Sequence, residues 1–238
     1  MKINWFYIRM LVLVAVTLGL VAFTHKRNAN RKVKEVKVNF EAGANLFVTA
    51  ESVDKLLIQN GKPIEGQYKE ILDLKDLEDK LDAHAMIADA DVYMTLDGVV
   101  GATVKQRKPL ARVQTKTPFY IDEEGKTMPL STNYSARVPL VTGVSKEQVN
   151  EIYPLLKYLQ EDHVLATQVV GISRDKTGDY SLTLRVLNYK VIVGKIEQLS
   201  SKFSNYKAFY QKAIKDNSLE VYKSIDLRFK GQVVGTKK

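Results

Sequence analysis

The sequence predicts an α+β protein: a single apolar helix at the N-terminus, a small β-α-α-β-β domain, and a second β-rich domain with a mostly antiparallel sheet and two helices. Three observations carry this. "WFYIRMLVLVAVTLGLVAF" is apolar from Trp5 to Phe23 apart from Arg9. Beyond it, stretches of period-2 alternation, the pattern of half-buried strands, change places with stretches apolar at i, i+3, i+4, the pattern of amphipathic helices. Pro109 then breaks a strand at the point where two-helix spacing gives way to a run of short strand-like pieces.

The apolar segment spans about 28 Å as a helix, close to the hydrocarbon thickness of a bilayer. Trp5 and Tyr7 suit the headgroup interface, and Arg9 lies near enough to the N-terminal end to reach it. A cleaved signal peptide is the competing reading. "VAFTHKR" offers bulky or basic residues where a peptidase needs small ones, which favours an uncleaved signal anchor. The predicted layout is a tail at 1–4, a membrane helix at 5–24 and a basic linker at 25–32. Positive residues flank both ends of the helix, so charge alone leaves its orientation open. The linker's cations suit anionic headgroups, each contributing about 1 kcal/mol near the surface.

The first domain is expected at 33–109. Val33–Phe40 alternates as a strand. "EAGANLFVT", with Gly43 and Asn45, reads as a turn. Thr49 caps a helix carrying Val53, Leu56 and Leu57, which Gly61 and Pro63 end. Asp73 caps a second helix with Leu74, Leu77 and Leu81 on its buried face. Alternation on both sides of Asp97-Gly98 is a hairpin signal, with Val92, Met94 and Val104 in the core. The second domain is expected at 110–238, the boundary lying near Lys108–Arg112. Its short strands turn at Asp122–Gly125 and Pro139. A helix over Lys146–Glu161 buries Val149, Ile152, Leu155, Leu156 and Leu159. Three antiparallel strands follow, turning at Lys176–Asp179 and near Asn188-Tyr189. A basic helix over Ile196–Lys215 precedes the end of the chain.

That end, "KSIDLRFKGQVV", alternates again. Ile225, Leu227, Phe229 and Val233 would share one face. Asp226, Arg228, Lys230 and Gln232 would share the other, with Gly231 between the last two apolar residues. The expectation is a strand over Ile225–Val233 at or near an open sheet edge. An open edge presents unpaired N–H and C=O groups, the feature used in strand addition. A strand that merely completes the sheet is the alternative.

Catalytic signals are sparse. The chain has 238 residues and no cysteine, which excludes disulfides and thiolate chemistry. His25, His84 and His163 lack metal-ligand spacing; His84 follows a helix and His163 ends one, positions where histidines meet C-terminal carbonyls. No HExxH, GxSxG, P-loop or GxGxxG occurs. The carboxylates of "DLKDLEDKLD" have helical spacing with leucines between, the pattern of a solvated face. No cofactor, metal or enzymatic activity is expected. The formal charge is +9. No single-strand-binding motif, with aromatics and basic residues lining a groove, is recognised; the basic runs read as solvated faces, so no nucleic-acid partner is expected.

In order along the chain, the residues resemble the FtsQ (DivIB) family of bacterial cell division proteins. "QRKPLA" (Gln106–Ala111) resembles its Gln/Glu-Arg-x-Pro-x-Ala segment. "YIDEEGKTM" (Tyr120–Met128) resembles its aromatic-aliphatic-Asp-x-x-Gly turn. "VPLVTG" (Val138–Gly143) resembles its Leu-Pro-x-Leu-x-Gly, "VGKIEQLSSKF" (Val193–Phe203) its strand-to-helix corner, and "IDLRF" (Ile225–Phe229) its terminal Ile-Asp-Leu-Arg-Tyr. Two places depart from the family pattern: Ala85-Met86-Ile87 stands where Pro-Trp-Val is frequent, and Leu96-Asp97-Gly98 where Trp-Pro or Tyr-Pro is.

The resemblance implies a POTRA domain for the first module and a cytoplasm-to-exterior anchor, type II in the plasma (cell inner) membrane. It implies a non-enzymatic scaffold acting in septum formation at midcell. The implied partners are FtsB- and FtsL-like single-pass proteins at the C-terminal edge, other divisome proteins at the POTRA-like domain, and membrane lipid. The implied contact residues are Ile225, Asp226, Leu227, Arg228, Phe229, Lys230, Gly231, Gln232 and Val233. A component of a transport or outer-membrane assembly system is the alternative, because POTRA modules also occur there.

Overall fold

The computed structural model describes residues 5–29, 31–41, 46–59 and 61–238. The tail at 1–4 and the expected turn at Gly43 and Asn45 lie outside the described residues. The chain divides into two compact units, Met1–Gln106 and Arg107–Lys238.

In the first unit α1 spans Trp5–Ala29. One stretch of it, Trp5–Lys26, is long and apolar enough to cross a membrane, with none of its apolar surface buried against the rest of the chain. The remainder forms a three-stranded sheet of order β1-β5-β4, with β1 (Glu35–Phe40) parallel to β5 (Val99–Gln106) and β4 (Ile87–Met94) antiparallel to it. The strand begins two residues later than the alternation suggests. Val33 is buried and bonds instead to Gly66 and Gln67.

Helix α2 (Ala50–Leu56) starts as expected. Thr49 and Ser52 exchange side-chain and backbone hydrogen bonds across its first turn, which satisfies otherwise unpaired N–H groups. It ends at Leu56 rather than at Gly61, because the chain turns at once into a two-strand ribbon, β2 (Ile58–Gln59) with β3 (Lys62–Pro63). Gly61, at φ 72°, makes that turn. Asp73 caps α3 (Leu74–Asp82), accepting from the Asp76 N–H. Leu77, Leu81, Val92 and Val104 are buried, whereas Leu74 and Met94 sit half-buried at the margin.

The second unit is built on a nine-stranded sheet of order β14-β13-β12-β11-β10-β9-β6-β7-β8. Its strands are β6 (Pro109–Val113), β7 (Phe119–Asp122), β8 (Thr127–Pro129), β9 (Leu140–Thr142), β10 (Val169–Arg174), β11 (Tyr180–Leu184), β12 (Lys190–Gly194), β13 (Tyr222–Asp226) and β14 (Val234–Lys237). It is mostly antiparallel; β6 with β9, β9 with β10, and β12 with β13 are the parallel pairs. Pro109 opens β6 rather than ending the strand before it. This is the position in a strand where a missing N–H costs least.

Helix α4 (Val149–Glu161) buries the five apolar residues expected of it, and α6 (Leu199–Lys215) buries Phe203, Tyr206 and Ala213. The two helices meet where Tyr158 stacks on Phe203, ring centroids 5.1 Å apart. A third helix, α5 (His163–Gln168), corrects the expectation of two. Asp162 caps it by accepting from Val164 N and Leu165 N, so His163 opens a helix instead of ending one. The Asp162 carboxyl is held low: burial alone would raise its pKa, but Lys207 (2.7 Å) and the two N–H groups outweigh that.

Candidate partner-docking surface

The five-residue strand β13 is patterned by burial at its end. Ile225 is fully buried, and Asp226 and Leu227 are nearly so. The strand lies between β12, which it joins in parallel, and β14, which it joins antiparallel. This corrects the extent of the strand expected over Ile225–Val233: it ends at Asp226, and it lies one strand in from the terminal β14 rather than at the edge itself. Both edges of β13 are occupied, and the chain leaves extended pairing after Asp226. Leu227 N still donates to Ile192 O (2.8 Å), and the segment then turns, Gln232 N donating to Phe229 O (3.2 Å). Gly231 is the third residue of that turn, at φ 72°, with open space around it. A left-handed position of this kind admits glycine without strain. Gly231 therefore folds the chain back and does not lie in a strand beneath another backbone. Phe229 ends up 52% exposed, and Lys230, Gly231 and Gln232 are exposed as well. Val233 packs on the margin of the core.

The chain returns as β14, whose four residues are all exposed. β14 is terminal in the strand order, so its outer edge is open among the described residues. Its attachment depends on a glycine. A Cβ at Gly235 would come within 2.5 Å of the Tyr222 ring, which crosses the strand there and meets Phe209 of α6 edge-on at 5.2 Å. An aromatic side chain laid across a strand glycine is a register-fixing device.

A charge cluster anchors the loop. Arg228 grips the Asp226 carboxylate through Nε (3.0 Å) and Nη2 (2.7 Å), while the Arg228 N–H donates to Oδ1 at 3.0 Å. Arg228 Nη1 reaches Asp179 at 3.3 Å, and Lys195 reaches the same carboxylate at 3.3 Å. Burial pushes the Asp226 pKa up, but the Arg228 hydrogen bonds overcome this and hold it below the usual carboxylate value. The Arg228 stem lies over Gly194, at φ 76°, where a Cβ would stand 2.6 Å from Arg228 Cγ. Lys202 of α6 donates to Val193 O (2.9 Å) and Lys195 O (2.8 Å), and its burial lowers its pKa. A shallow cleft opens between the start of α6 and the loop, lined by Ser201, Lys202, Asn205, Arg228, Phe229 and Gln232 among others.

Sequence motifs that are far apart in the chain meet at such points. Arg107, from "QRKPLA", pairs at 2.7 Å with Asp122 of "YIDEEGKTM". Asp122 is buried and accepts from the N–H groups of Glu124 and Lys126 to close its turn. Gly143, ending "VPLVTG", sits at φ 76°, where a Cβ would collide with the Arg174 carbonyl. "VGKIEQLSSKF" and "IDLRF" meet through Gly194, Lys202, Asp226 and Arg228. Sequence reasoning missed β14 itself. Its signal was the turn glycine Gly231, read as part of the strand. Among the described residues no group of three or more His, Cys, Asp or Glu side chains comes together as a metal site would need.

The chain combines a helix long and apolar enough to cross a membrane, a β-α-α-β-β unit and a nine-stranded β unit whose terminal strand has an open edge among the described residues. Residues 31–105 match the POTRA-like domain, and residues 108–236 match the family described as FtsQ/DivIB, C-terminal related. The chain belongs to the FtsQ/DivIB family, a family of non-catalytic cell division proteins, and carries a POTRA-like domain. No curated protein matches it.

Proposed function

We propose that the protein is a non-enzymatic, membrane-anchored scaffold of the bacterial cell division complex. In this reading α1 crosses the plasma membrane once, with residues 1–4 in the cytoplasm and both folded units outside, and the protein gathers at midcell during septum formation. It recruits a single-pass FtsB-like protein, with its FtsL-like companion, by strand addition along β14. The POTRA-like domain contacts other division proteins.

The observation that carries this reading is the open edge of β14 beside an exposed Phe229 and the anchored Arg228. An incoming strand would gain backbone hydrogen bonds from the edge, and the neighbouring side chains would select it. Affinity at such sites concentrates in a few aromatic and arginine anchors, and this surface offers one of each. The test is a chain ending at Val233, assayed for folding and for capture of an FtsB-like segment. Loss of capture with the fold intact supports strand addition; full capture overturns it. A fluorescent fusion of the full chain separates division from transport, since a midcell band supports the former and an even rim the latter.

A further inference from the structure

The first unit carries an exposed cationic tip at the end where the anchor helix enters it. Arg31 follows α1 by two residues, and its Nη1 donates to Leu96 O at 2.7 Å, at the tip of the β4–β5 hairpin. Lys34 N donates to Gly98 O at 2.8 Å in the same turn. On the other side Lys69 N donates to Arg31 O (2.8 Å), and Lys32 Nζ lies 5.0 Å from the centre of the Tyr68 ring. The linker is thus bonded on both sides, and it holds the hairpin tip beside the emerging anchor. Arg31, Lys32, Lys34, Leu96 and Asp97 line one open hollow there. Leu96 is 81% exposed and Tyr68 is exposed too.

Single exposed leucines are ordinary. This one differs in its surroundings. From Lys26, where the membrane-length stretch ends, the three remaining helical residues and the reach of two further positions allow Arg31 to lie no more than about 12 Å outward. That distance falls within the headgroup layer and one Debye length, roughly 8–10 Å, of it. Three cations oppose Asp97 alone in the hollow, and the adjacent Lys69 and Glu70 offset each other. A bulky apolar residue ringed by cations at that depth has the composition of an interfacial membrane contact.

We propose that the β4–β5 hairpin tip is a membrane foot. Leu96 enters the headgroup–acyl boundary, and Arg31, Lys32 and Lys34 hold the headgroups of anionic phospholipid. The foot docks the first unit on the bilayer instead of leaving it to swing on the linker. This rests on the reading of α1 as a membrane anchor.

The chain has no cysteine, so a single introduced one is a unique labelling site. Full-length Leu96→Cys, carrying an environment-sensitive fluorophore, is reconstituted in bilayers of equal parts phosphatidylcholine and phosphatidylglycerol, or of phosphatidylcholine alone. Lipids with a nitroxide near the headgroup serve as quenchers. Leu13→Cys in α1 and Val186→Cys, an exposed site in the second unit, are the references. The label at 96 should shift to the blue and be quenched well above the label at 186 in the anionic bilayer. Adding Lys32→Gln and Lys34→Gln should lower the bound-to-free ratio of the tip roughly thirtyfold. A label at 96 as wet as that at 186, while the label at 13 reports hydrocarbon, overturns the foot and leaves the anchor standing. Equal drying in phosphatidylcholine alone, unchanged by the lysine substitutions, overturns the role of the cations. A label at 13 that reports water overturns the anchor and the foot together.

Discussion

Two halves of one terminal segment behave in opposite ways. Tyr222–Asp226 is a strand hydrogen-bonded on both sides; its last two residues, Ile225 and Asp226, and the following Leu227 are buried. From Arg228 onward the chain is exposed nearly throughout, including all of β14. The first half ties the C-terminus into the core and the second presents it. The difference teaches where the energy lies. Substitutions before Arg228 should unfold the unit, and substitutions after it should spare the fold and change what the protein holds.

The largest effect on stability is expected at Ile225. Ile225→Ala removes a fully buried side chain and should cost about 2–5 kcal/mol, read from urea unfolding of the detergent-solubilised full chain. Leu77→Ala, fully buried in the first unit, should cost a similar amount. A near-zero loss at Ile225 would erase the contrast between the two halves.

Asp226 comes next. Asp226→Asn leaves Arg228 without its partner and should cost about 1–3 kcal/mol at neutral pH. Because Arg228 holds the folded-state pKa below its unfolded value, the contribution is fully present above the ordinary carboxylate range. It disappears as pH falls through the lowered folded value. The gap between the native chain and the variant should therefore close on acidification. A gap that is constant down to strongly acid pH would show that the carboxylate charge is not the source.

The glycines sharpen the comparison. Gly194→Ala places a Cβ at positive φ and against Arg228, and should cost about 1–2 kcal/mol from the backbone alone, with disturbance of the Arg228–Asp226 pair. Gly231→Ala meets no neighbour, so its cost should stay at the low end of that range. Phe229→Ala should change stability by no more than about 0.5 kcal/mol and still weaken capture of an FtsB-like segment by about tenfold or more. A large stability loss at Phe229 would mean that it belongs to the core.

Much of the fold was legible because the helices and strands of the core obey simple periods. The stripe Val149, Ile152, Leu155, Leu156, Leu159 and the caps Thr49 and Asp73 were readable at single-residue precision. Tertiary bonds decided the remainder. Alternation through Val33 continues past the point where its partners change from a strand to Gly66 and Gln67. His163, read as ending one helix, opens another that Asp162 caps. At the C-terminal segment the alternation fails after Ile225, since Asp226 and Leu227 are buried beside it and Phe229 is exposed, and Gly231 reverses the chain. What looked like one long strand is a buried strand, a turn and an exposed edge. Period-2 pattern cannot tell a strand that continues from one that folds back when the second arm, Val234–Lys237, is short and bears only one large apolar side chain.

The most direct measurement is amide hydrogen exchange across residues 222–238 of the full chain, with and without an FtsB-like segment bound. Strand addition predicts slow exchange at β13 in both states and new protection at alternate amides of β14 on binding. Unchanged exchange along β14, with protection appearing elsewhere on the second unit, would contradict it.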